Sequence, residues 1–232
     1  MLVIMKKFIK KLVKTMSITL IGLFPLFCYS ASPAIKPPVF TPKKASDLSL
    51  YDQNPWSVMY YYGITLNNPL IDLLTLHNLS RWPEHIQSFE FAYTLNEANK
   101  VRRFFNPVVG VVQIAGNITL RNGKNEHTIY EFDPSIQFRW ANFPWNHIIN
   151  TSFALGEGIS YDTSIPSVEK KENNHTKHLL NLMLVEITVA LPNHPRLQLI
   201  GRIHHRSGAY GLYHAGNTGS NDLALGIRYL FD

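Results

Sequence analysis

TIYEFDPSIQFRW, residues 128–140, alternates apolar and polar side chains almost without a break. Tyr130, Phe132, Ile136, Phe138 and Trp140 fall on one side of an extended chain, and Glu131, Asp133, Ser135, Gln137 and Arg139 on the other. Successive strand side chains point to opposite faces, so the segment has one apolar and one polar face. A soluble sandwich would turn the apolar row inward. Here the apolar rows are rich in aromatics near strand ends, and the polar rows carry full charges of both signs. That combination favours a barrel with its polar face inside and its apolar face in lipid.

The same alternation recurs in SFEFAYTL, residues 88–95. About eight such segments can be marked: roughly 56–66, 87–96, 104–121, 127–140, 147–161, 178–191, 196–207 and 221–231. Three connections read as short (NEANK, ANFPWN, PNHP) and three as long, with RNGKNE the departure from alternation. An even strand number with short periplasmic turns and longer outer loops is the pattern of bacterial outer-membrane barrels. The last strand, LALGIRYLF at 223–231, resembles the C-terminal assembly signal of such barrels, although Asp232 follows the expected final Phe. The sequence thus predicts an all-β fold, an eight-stranded antiparallel transmembrane β-barrel over 56–232. A soluble lipocalin-like barrel is the competing architecture.

The N-terminus agrees with that destination. Lys6, Lys7, Lys10, Lys11 and Lys14 precede an apolar run from Met16 to Cys28, and small residues follow. This is the layout of a secretory signal peptide, 1–30, cut after Ser30. The run is too short to span a bilayer as a helix, which needs about 20 residues. The five lysines account for the basic balance: without them 17 basic side chains face 16 acidic ones, so the charge gives no indication of nucleic acid. Residues 31–55 are proline-rich and read as a linker. The only cysteine, Cys28, leaves with the signal peptide, so a closed sheet rather than disulfides must hold the mature chain in the bacterial outer membrane.

One stretch carries chemistry. In RLQLIGRIHHRS, residues 196–207, Leu197, Leu199, Ile203, His205 and Ser207 share the lipid-facing parity. Bare polar groups on that face cost free energy unless paired or near the headgroups. Two residues apart on one face, an imidazole can take the proton of a serine hydroxyl and make it a nucleophile. Asn221 has the same parity on the following strand and can reach His205 across the hairpin. Asp222 has the opposite parity. Glu157 also has lipid-facing parity, on a strand that does not neighbour the seventh.

The His205–x–Ser207 pair near the outer end of a late strand resembles the lipid A 3-O-deacylases of the PagL type, which are eight-stranded outer-membrane barrels. The resemblance implies a carboxylic ester hydrolase that removes an ester-linked acyl chain from lipid A, with Ser207 as nucleophile and His205 as base. Lipid A, or lipopolysaccharide of the outer leaflet, would be its partner. In two places the chain departs from the family: Gly208 stands where an asparagine usually follows the serine, and Asn221, four residues after Asn217, stands where the family has an acid. An amide orients an imidazole but stabilises its cation less than a carboxylate does. The alternative reading is a non-catalytic barrel, structural or adhesive, with an incomplete triad. Glu90, Glu131, Asp133, Arg139, Glu186, Arg202 and Arg228 face inward by parity and read as a lumen network that His204 and Arg206 join. Arg81, Lys170 and Lys171 in outer loops read as solvated charge or lipid phosphate contacts. No cofactor, metal or nucleic-acid motif is present in the sequence, and a monomer and a homodimer are both open.

Overall fold

The structure is a computed structural model that describes residues 49–106, 108–123, 127–173 and 175–232. The expected signal peptide, and the linker up to residue 48, lie outside the described residues.

Eight strands form a closed barrel: β1 (Trp56–Leu66), β2 (Arg81–Thr94), β3 (Val111–Gly123), β4 (Ile129–Trp140), β5 (Asn150–Asp162), β6 (Leu179–Ala190), β7 (Leu197–Ser207) and β8 (Gly219–Phe231). Each pairs antiparallel with the next, and β1 closes on β8 from Trp56↔Phe231 to Leu66↔Asn221. The alternation read from the sequence becomes an inside and an outside. Phe89, Phe91, Tyr130, Phe132, Leu199, Leu225 and Ile227 are exposed on the outer wall, while Glu90, Glu131, Asp133, Arg139, Arg202 and Arg228 are buried within. An apolar belt around a polar interior is the arrangement a bilayer-spanning barrel requires.

The interior is filled, as expected for a barrel of this width. Towards the end that holds Trp56 and Phe231, Glu186 accepts from Arg139 Nη2 (2.7 Å), Arg228 Nη1 (2.6 Å) and Arg202, while Glu90 accepts from Arg202 Nη1 (2.6 Å). Towards the other end, Arg121 donates to Asp222 (2.8 Å) and Glu131 (3.3 Å), and His204 sits between Glu131 (2.7 Å) and the Tyr61 hydroxyl (3.0 Å). Arg206 pairs with Asp162. Such clusters satisfy charges that would be intolerable singly.

Two expectations need correction. The linker does not run to residue 55: Ser49 caps a short helix, α1 (Leu50–Gln53), through a capping box with Asp52. Its Tyr51 is 1% exposed, donates to Gln198 Oε1 (3.1 Å) and lies under the Arg139 guanidinium, so this segment plugs the barrel end. The expected strand 104–121 is two elements. Lys100–Phe105 forms α3, and β3 begins only at Val111. Arg102, 2% exposed, holds the intervening chain by donating to Leu95 O (2.8 Å), Gly110 O (2.7 Å) and Asp52. Connection 95–110 is therefore long, and the expected alternation of short and long connections fails there. At the opposite end lie 67–80 with α2 (Leu70–Leu74), 163–178 with α4 (Ser167–Glu172), and 208–218.

Candidate active site

The outer wall carries a polar patch at the barrel end opposite Trp56 and Phe231. Across β6, β7 and β8 the outward positions read Asn181 beside Ser207 beside Gly219, and next to them Met183 beside His205 beside Asn221. Antiparallel register brings these side chains into one field. The short helix α2 folds back over the wall: Leu73 is buried against Leu66 and Ile203, with Leu70, Leu74, Ile64, Val185 and Leu223 around them. Between α2 and loop 208–218 is a cavity of about 660 Å³. His205, Ser207, Asn181 and Asn221 give it a polar floor, and Leu70, Ile71, Leu74 and Met183 an apolar wall.

The hydrogen bonds fix the protonation pattern. Asn221 Nδ2 donates to the backbone oxygen of Asn68 at 2.9 Å, so its amide oxygen is the end turned to His205. That oxygen lies 2.6 Å from His205 Nδ1 and can only accept. The Nδ1 therefore carries the proton, and a neutral ring presents Nε2 as a base. Ser207 shares the face and the cavity. Among the described hydrogen bonds none joins its hydroxyl to His205, a contact that in unliganded sites often tightens only with substrate. Asp222 points into the lumen, to Arg121 and Thr65 (2.5 Å).

Asn68 carries no signal in the sequence. It reaches the site because its own side chain folds loop 67–80, accepting from Ser80 N (2.6 Å) and donating to Asn78 O (3.0 Å). Loop 208–218 is held from the other side. Asn173 Nδ2 donates to Ala215 O (3.2 Å), and Ser220 Oγ donates to Glu169 Oε1 (3.0 Å). Burial pushes the Glu169 carboxyl up to about 8 against the pull of Arg121 and Ser220. Lys171 donates to Asn67 Oδ1 (3.1 Å) and stands over the Trp82 ring, at the rim of the cavity.

Gly208 explains one departure from the family pattern. A Cβ there would lie 2.4 Å from Gly216 O, so the usual asparagine has no room. Gly208 N also donates to Thr218 O (3.0 Å), and Ala209 beside it adopts φ +43°, a strained value for a non-glycine residue. Gly208→Ala is expected to displace the loop next to Ser207 and to lower any hydrolysis about tenfold to a hundredfold, as small misplacements do. The barrel itself should stay folded. Turnover measured alongside heat-modifiable gel migration checks both parts.

One other group of ligand-type atoms lies together among the described residues: Glu131, Asp133 and His204, inside the barrel. Both ring nitrogens of His204 are taken by Tyr61 and Glu131, so the group belongs to the ion network.

Known proteins add shape and no chemistry. No protein-family profile matches the chain, and neither does any curated relative. Solved structures of similar shape include the outer membrane enzyme PagL (12% identity, TM-score 0.45, 75% of this chain and 98% of that one). Others are Neisserial surface protein A (9%, TM-score 0.44, 76% and 96%) and Ail, the attachment invasion locus protein of Yersinia pestis (10%, TM-score 0.38, 77% and 99%).

Proposed function

We propose that this chain is an outer-membrane carboxylic ester hydrolase that removes an ester-linked acyl chain from lipid A. The observation that carries the reading is the ordered line Asn68 O, Asn221, His205, which leaves a basic Nε2 in the same outward-facing cavity as Ser207. Asparagine orients the imidazole in the Cys-His-Asn proteases, so an amide in the third position is compatible with catalysis. In the first step Ser207 Oγ bonds to the ester carbonyl carbon and its proton passes to His205 Nε2. The tetrahedral intermediate expels the sugar alkoxide, which takes that proton. Water then cleaves the acyl-serine with His205 again as base, releasing the fatty acid. The cavity opens on the lipid face, where the apolar wall of Leu70, Ile71, Leu74 and Met183 suits an acyl chain. The mass spectrum of lipid A from a host that expresses the protein tests this: loss of one acyl chain is expected, and an unchanged lipid A would sink it.

The second reading, a structural or adhesive barrel without catalysis, is favoured by two observations: none of the described hydrogen bonds joins Ser207 to His205, and the group at His205 Nδ1 is the amide of Asn221 rather than an acid. Asn221→Leu separates the two. It removes the acceptor that fixes the His205 tautomer, so hydrolysis should fall roughly 10²- to 10⁴-fold. In a non-catalytic barrel it changes nothing measurable in lipid A. Asn221→Asp strengthens the support of the imidazolium but sets a carboxylate oxygen against Asn68 O. The structure therefore attaches a loop-stability cost, of about 1–3 kcal/mol for the unsatisfied acceptor, to a substitution that sequence alone favours.

A further inference from the structure

The ion network inside the barrel is short of positive charge at the end opposite Trp56 and Phe231. Glu84, Glu131, Asp133, Asp162, Glu169 and Asp222 are all buried there. Among the described residues, the buried cations they meet are Arg121, Arg206 and, when protonated, His204. Acid outnumbers base even with Glu169 set aside. Towards the other end Glu90 and Glu186 face Arg139, Arg202 and Arg228, so the excess of acid is local. Hydroxyl donors, such as Thr65 on Asp222, solvate these carboxylates without neutralising them. A dry interior holds a surplus carboxylate only with a proton or a cation.

One place in the network is shaped for a cation. Ligand-type atoms of Glu131, Asp133 and His204 lie within 4.8 Å of one another. His204 Nε2 stands 2.7 Å from Glu131 Oε1, so a positive particle must lie between them. The Tyr61 hydroxyl, 3.0 Å from Nδ1, can accept that nitrogen's proton and leave a lone pair on Nε2, which is the support a metal-bound imidazole receives. Asp133 Oδ2 accepts from Thr119 (3.3 Å), while its Oδ1 has no hydrogen-bond partner. A second, separate sign is Asn117. It is 3% exposed and directly opposite Asp133 in the β3–β4 ladder, and neither its amide oxygen nor its nitrogen has a partner. A buried carboxamide left unbonded is costly. Opposed Cβ atoms lie about 4.5–5.5 Å apart, so Asn117 and Asp133 can meet one ion.

We propose that the barrel interior binds one divalent metal ion of the zinc type, through His204 Nε2, the Glu131 carboxylate and Asp133 Oδ1, with the Asn117 amide oxygen as fourth ligand. One nitrogen and three oxygens suit zinc, whose ligands stand at about 2.0–2.2 Å. The ion completes the network by supplying the charge it lacks. Its role is structural, because the four residues close its coordination and leave no position open for a substrate. It has to enter as the sheet closes, since Tyr51 plugs one barrel end and Val168 and Glu169 of α4 are buried at the other. The inference does not depend on the hydrolase reading: His204 faces the lumen and His205 the outer wall.

The full chain, without an affinity tag, is refolded from urea into detergent micelles with zinc sulfate or with EDTA, then dialysed against metal-free buffer. Elemental analysis is expected to find one zinc per chain after the first treatment. The zinc-loaded barrel should have a higher urea midpoint than the metal-free one, because the ion binds the folded state and not the unfolded chain. Refolding that fails in EDTA and recovers with zinc supports the inference equally. Asp133→Ala and His204→Gln should lose the zinc, and His175→Ala, at an exposed histidine, should keep it. Tyr61→Phe keeps the ring and removes only the hydroxyl beside Nδ1, so it reads the site even if the ligand variants misfold. Its zinc affinity, measured against a competing chelator, should fall about tenfold to a hundredfold. Zinc held as tightly by Tyr61→Phe, or retained by folded Asp133→Ala, belongs to exposed histidines and overturns the inference. A wild type that takes up no zinc, and whose urea midpoint climbs on acidification, carries its surplus acid as protons and overturns it too.

Discussion

Ser207→Ala is expected to abolish acyl-chain removal, with a loss of roughly 10⁴-fold or more, while the protein still runs as a folded barrel. The size follows from the way nucleophile and base act as a unit: losing either one costs about as much as losing both. The fold should be indifferent for a local reason. Ser207 is the last residue of β7, half-buried, and its backbone pairing to Asn181 and Gly219 does not involve the hydroxyl. Lipid A mass spectra from cells expressing the wild type and the variant, with heat-modifiable migration as the fold control, read both halves. Full activity in Ser207→Ala would mean that the nucleophile lies elsewhere.

The second large effect is on stability and lies inside the barrel. Glu186 accepts from Arg139, Arg202 and Arg228, and Glu90 is the other acid within reach of the last two. Glu186→Ala leaves three guanidinium groups crowded in a dry interior around a single carboxylate. Breaking one buried pair costs about 3–5 kcal/mol, and here one residue serves three partners, so the urea midpoint should fall sharply or refolding should fail. Whatever fraction folds should keep its activity, because Glu186 faces the lumen and the candidate site is on the outer wall. A normal urea midpoint for Glu186→Ala would show that the network contributes little.

The strands were legible wherever one residue in two is aromatic or aliphatic and the next is charged, as at Phe132 and Glu131 or Phe89 and Glu90. Parity also assigned the lumen charges, since the register of a closed sheet gives a side chain only two directions. The helix at Lys100–Phe105 was not legible. Phe104 and Phe105 lead into an apolar run at Val108 and Val109 that reads as strand, and what holds this segment out of β3 is Arg102 reaching to Gly110 O and across to Asp52, a tertiary contact. The plug at α1 did leave a trace, in the Ser49–x–x–Asp52 spacing of its capping box, but the surrounding prolines hid it. At the candidate site the shared parity of His205, Ser207 and Asn221 could be read, because it depends on one hairpin. Asn68 and Asn181 could not, because they arrive through a folded loop and through a ladder between strands whose register no local pattern gives.

The register of β8 has a further consequence for assembly. This strand follows the other seven in the chain, and it brings Arg228 to Glu186 and Glu90, and Asp222 to Arg121. Sealing the sheet and neutralising its contents are therefore a single event. Before it, the nascent sheet has free edges at β1 and β7 and a surplus of unmatched ions, none of which a bilayer tolerates. The two edges belong to segments far apart in sequence, so the joining step is slow by the logic of contact order and demands that β1 be kept from wrong partners meanwhile. A chain that stops short of Gly219 has no smaller barrel to fall back on.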